Sequence, residues 1–113
     1  MDIQELTQEM HRFVSRQGWY QDDSLRPQSA KNLAASLMIE CGEVVELVQW
    51  TDQPADRQAL AGELADVALY LLQLANTAGI DLEDAVLQKL AHNYGRRWDQ
   101  DSPPRPHRSA PNE

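Results

Sequence analysis

Two pairs of carboxylates, Glu40-x-x-Glu43 and, after nineteen intervening residues, Glu63-x-x-Asp66, lie inside segments otherwise rich in leucine, valine and alanine. Residues three apart share one face of an α-helix but point to opposite faces of a strand. The spacing is helical, and on helices the acids of each pair project together. Withdrawing an unpaired carboxylate from water costs several kcal/mol, roughly, so a bound cation is the natural compensation. Either pair alone would suit a solvated helix; two pairs in apolar helices, packed about 10 Å apart, gather four carboxylates around one or two ions.

The rest of the chain is consistent with an all-α fold. Ile3, Leu6, Met10, Phe13 and Val14 mark a short amphipathic helix ending near Gly18. A loop with Asp22, Ser24 and Pro27 leads to a second helix predicted over 29–51, apolar almost all round and so expected at the centre of the fold. Cys41 within it is read as a core thiol. After Asp52 and Pro54, a third helix runs to about Ala78 with Leu60, Leu64, Val67, Leu71 and Leu74 as its stripe. Gly79 stops it, and Asp81 caps a fourth helix from Leu82 to about Trp98. The expected organisation is a helical domain over 1–99 and a flexible, proline-rich tail over 100–113.

Charge narrows the function classes. The net charge of -8 disfavours polynucleotides and anionic lipid, and no apolar run is long enough to span a membrane. Between 33 and 88 there are ten Asp and Glu against one basic residue, Arg57, whereas Lys31, Lys89, Arg96 and Arg97 flank that stretch. A small anionic ligand would need a metal to approach the acids, and the flanking cations suit phosphates. Trp50, on the same arc as Glu43 and Glu46, suggests a flat group in the ligand. The lone Cys41 allows no disulfide within the chain, and the Met1 end lacks an export pattern, so a cytoplasmic protein is expected.

An all-carboxylate set calls for a hard cation, Mg2+ or Mn2+. Carboxylate-bridged di-iron sites use Glu-x-x-His pairs, and no glutamate here has a histidine three residues on. His11, His92 and His107 have no zinc-ligand spacing with Cys41, and neither a glycine-rich phosphate loop nor a nucleophile elbow is present. Metal-assisted attack by water remains, against two alternatives: a non-enzymatic helical interaction module, and hydrolysis of another phosphoanhydride. With 113 residues and an aliphatic core, such helices are expected to associate through apolar faces.

These residues resemble the MazG-like nucleoside triphosphate pyrophosphohydrolases, and in particular their short dCTP pyrophosphatase branch. The resemblance is carried by the acid quartet with Ala30-Lys31-Asn32-Leu33-Ala34, Glu46-Leu47-Val48-Gln49-Trp50, the run from Glu63 to Leu72, Gly79-Ile80-Asp81-Leu82 and Lys89-Leu90-Ala91-His92-Asn93. It implies a four-helix MazG-like bundle, dimeric or tetrameric, that cleaves nucleoside triphosphates such as dCTP or a modified dCTP between the α- and β-phosphates. It also implies Mg2+ ligation by Glu40, Glu43, Glu63 and Asp66. Lys31, Lys89 and Asn93 match phosphate-contacting positions, Arg96 and Arg97 continue that cationic end, and Trp50 and Trp19 match aromatics near the base. Two departures bear on base choice and the phosphate clamp: Gln28-Ser29-Ala30 replaces the family's His-Thr-Pro, and Arg96-Arg97-Trp98 replaces Arg-Tyr-Pro.

Overall fold

A computed structural model describes residues 1–51, 53 and 56–96; Arg97, Trp98 and the expected tail lie outside the described residues. The chain forms four helices, α1 (Ile3–Arg16), α2 (Ala30–Val48), α3 (Arg57–Thr77) and α4 (Leu82–Gly95), with no strand among the described residues. This is the all-α bundle expected. Each helix starts where a short polar side chain can take an orphan backbone N–H. Asp2 and Glu5 form a reciprocal capping box on α1, Ser29 accepts from Asn32 N, Asp56 from Ala59 N and Asp81 from Asp84 N.

Glycine ends two of the helices. Gly18 and Gly79 hold φ of 75° and 72°, a region side chains rarely adopt. After α3, Ile80 N donates to Ala75 O and Gly79 N to Asn76 O, which closes a Schellman motif; Trp19 N to Val14 O and Gly18 N to Ser15 O repeat the pattern after α1. The second motif turns Trp19 back over the helix it has just left.

The packing is led by the α2–α3 hairpin, and α1 crosses α3. Met10 and Val14 of α1 close on Leu72 of α3, with Ile3, Trp19 and Leu82 packed around them. The buried face of α3 is therefore Leu72, Gln73 and Ala75, whereas Leu64 and Leu71 of the expected stripe remain exposed. The helix is covered on two sides, by α2 and by α1, so one leucine stripe does not describe it.

Two expectations for α2 are corrected. Only Leu33 of that helix is fully buried, and Met38 (77% exposed), Ile39 and Val45 look outward, so α2 is not enclosed within one chain. Cys41 is exposed, not a core thiol, because it falls on that same outward face, three residues after Met38. The reason is coverage: α4 touches α1 and α3 but not α2 among the described residues. It buries no residue of its own and leaves Val86, Leu87, Leu90 and Tyr94 exposed.

Candidate metal centre and adjoining cavity

The α2–α3 hairpin brings the two acid pairs together. Carboxylate oxygens of Glu40, Glu43 and Glu63 lie within 4.8 Å of one another, all three residues half-buried. Asp66, more exposed, lies close enough for its charge to act on both Glu40 and Glu63. Burial, then the like charges of Glu43 and Asp66, raises the Glu40 carboxyl above its ordinary 4.5. Burial, then the charges of Glu43 and Glu40, does the same to Glu63.

Glu63 Oε1 is shielded from solvent with no hydrogen-bond partner. A shielded acceptor facing three further acids is the situation a hard divalent cation relieves, so the donor set fits such an ion. Glu46 is exposed and stands apart from the oxygens that converge.

The remaining sequence candidates are distributed around this cluster. Lys31 is exposed in the first turn of α2, about 13 Å along the helix from Glu40. Lys89 and Asn93 sit on α4 with Arg96 at its C-terminal cap; among the described residues α4 packs on α1 and α3 and does not touch α2, which carries Glu40 and Glu43. Asn93 Oδ1 is shielded and without a partner. Trp50 follows the end of α2 and is 87% exposed.

Trp19 has a defined setting. A cavity of about 360 Å³ between α1 and α3 is lined by Met10, Phe13, Trp19 and Tyr70 together with Asp66 and Gln73. Phe13 meets the Trp19 ring edge-on at 5.8 Å, and the Arg26 guanidinium lies 5.8 Å from the ring centroid. Asp66 belongs both to this wall and to the acid cluster, so the apolar cavity adjoins the carboxylates. Sequence reading missed Tyr70 and Gln73 as site residues. Their signal was position: four and seven residues after Asp66, they continue its face along α3.

Comparison with known proteins agrees with this geometry. Residues 28–99 match the MazG nucleotide pyrophosphohydrolase domain. The chain is 37% identical over 93 residues to dCTP pyrophosphatase 1 of Rattus norvegicus and 39% identical to that of Homo sapiens, each alignment covering 74% of this chain and 52% of the relative. It thus spans about half the length of those relatives. A shorter match, 55% identical over 38 residues, is to a dATP/dGTP diphosphohydrolase of Salmonella phage PMBT28, covering 34% of this chain and 13% of that protein. Among solved structures, a pyrophosphatase from Archaeoglobus fulgidus superposes with a TM-score of 0.63 at 33% identity, covering 80% of this chain and 86% of that one. With the domain match spanning both acid pairs and the fold shared, the chain belongs to the MazG nucleotide pyrophosphohydrolase family.

Proposed function

We propose that this protein is a Mg2+-dependent nucleoside triphosphate pyrophosphohydrolase, with Mn2+ as a substitute, which releases a monophosphate and pyrophosphate. The observation that carries the reading is the convergence of Glu40, Glu43 and Glu63 oxygens within 4.8 Å, with one Glu63 oxygen shielded and unpartnered. Glu40, Glu43, Glu63 and Asp66 would hold the ion. A divalent cation bound there neutralises phosphate charge and acidifies water.

The chain's own groups do the rest. A carboxylate oxygen on Glu40, Glu43 or Glu46 takes the proton from the attacking water. Lys31, Lys89, Asn93 and the arginines at 96 and 97 bind the triphosphate oxygens, offsetting charge that builds as the α–β bond breaks. Trp19 and Trp50 supply aromatic surface for the base, and a pyrimidine such as cytosine is the favoured one. Association into a homodimer or homotetramer covers the outward faces of α2 and α4 and offers each α4 a neighbouring chain. The protein acts on the nucleotide pool of the cytoplasm.

The test is incubation with Mg2+ and a panel of canonical and modified nucleoside triphosphates, with monophosphate and pyrophosphate assayed separately. Equal release of the two is expected. Orthophosphate with a diphosphate would contradict the cleavage site, and no turnover of any triphosphate would contradict the reaction.

A further inference from the structure

Gln73 is the one polar side chain fully buried among the described residues, 5% exposed, and it ties α3 to the segment between α1 and α2. It stands two helical turns beyond Asp66, about 10 Å along the same face of α3. Gln73 Nε2 donates to Gln28 Oε1, 45 residues away in sequence. Gln28 Nε2 in turn donates to the Arg26 backbone carbonyl at 2.5 Å. That carbonyl can only accept, which sets the Gln28 amide with its oxygen towards Gln73. On the other side Arg26 N donates to Ser24 Oγ at 2.9 Å, so the Arg26 backbone is held from both directions.

The side chain of Arg26 is directed at Trp19. Its guanidinium lies over the ring, 5.8 Å from the centroid, and among the described residues no carboxylate pairs with it. Phe13 meets the same ring edge-on. Trp19 lines the α1–α3 cavity with Asp66 and Gln73, whereas Arg26 and Gln28 do not. The cation therefore backs the indole without occupying the cavity. A chain of contacts thus runs from a buried point on the helix that carries Glu63 and Asp66 to the ring of Trp19. Its buried end resists release, because freeing Gln28 strips an interior amide N–H of Gln73 of its partner. Gln28 also opens the Gln28-Ser29-Ala30 segment, where this chain departs from the family's His-Thr-Pro.

We propose that Gln73, Gln28 and Arg26 are positioning residues, acting in series to hold Trp19 in one place relative to the carboxylates. This deepens the pyrophosphohydrolase reading and rests on it for the contact between Trp19 and substrate. An indole already held in one rotamer loses little freedom when the ligand arrives. Its grip is on a part of the nucleotide remote from the bond that breaks, equal in ground and transition states, and so it is expressed in KM and not in kcat.

The test uses the full chain with Mg2+ and dCTP. Arg26→Leu and Gln28→Leu alter residues outside the cavity, and each should raise KM about tenfold while leaving kcat within about twofold. Because the residues act in series, the double variant should stay at about tenfold, where independent sites would give about a hundredfold. In ligand-free, metal-free protein the 15N–1H NOE of the Trp19 indole should fall in both single variants while the α3 amides keep wild-type values. Partial unfolding lowers apparent kcat and leaves KM, so it does not mimic this pattern. An unchanged KM, effects that multiply in the double variant, a fall in kcat as large as the rise in KM, or an unaltered Trp19 signal overturns the proposal. The NMR arm needs no substrate, so loosening of Trp19 in a protein that cleaves no triphosphate would overturn the reaction and leave the positioning chain standing.

Discussion

Glu63 shows how one residue links fold, charge and chemistry. Its carboxyl is raised by burial and by Glu43 and Glu40, so in metal-free protein its ionised form opposes folding. A raised carboxyl is relieved of this penalty below its unfolded pKa, and the penalty returns as pH rises through the folded value. Glu63→Gln should therefore melt at a higher temperature than wild type in chelator at neutral pH, and this advantage should vanish below about pH 4.5. Calorimetric scans across that range check it. In matching scans with Mg2+ in place of the chelator, the neutral-pH melting temperature of wild type should rise and that of Glu63→Gln should stay nearly unmoved. Turnover of the variant should fall by more than about 100-fold, beyond what outer-shell changes around a metal cause. At this scale the acid quartet was legible because helical periodicity alone puts the pairs on one face. Gln73 was not, since its burial arises only when α1 crosses α3, and nothing local distinguishes it from a solvated glutamine.

The helices owe their limits to caps visible in sequence, and their cost can be measured. Asp56 accepts from Ala59 N at 3.0 Å, and Asp56→Ala should lower stability by about 1 kcal/mol in urea unfolding, with the start of α3 fraying. Gly79 at φ 72° closes the Schellman turn, and Gly79→Ala should cost about 1 kcal/mol by the same measurement although its Cβ would meet nothing within 4 Å. These stops and starts were legible because single residue types have strong local preferences. Which faces of α2 and α3 are covered was not. Periodicity reports that a face is apolar and says nothing of which helix covers it, and Met38 with Cys41 ended outside instead of at the centre.

On the scale of the whole molecule, Met38, Trp50 and Tyr94 remain 77, 87 and 84% exposed, a large apolar area for one small domain to leave in water. Sedimentation should give a dimer or tetramer, and Met38→Lys, by placing a charge on the open face of α2, should shift the distribution towards monomer; a wild-type monomer would contradict association. The four helices and the acid centre follow from local patterns, whereas the place of α4, with Lys89 and Asn93, depends on what packs against it. The reaction itself is tested most directly by hydrolysing dCTP with Mg2+ in water enriched in 18O. Attack at the α-phosphorus predicts the label in the monophosphate and none in pyrophosphate; label in pyrophosphate, or release of orthophosphate, would contradict the account.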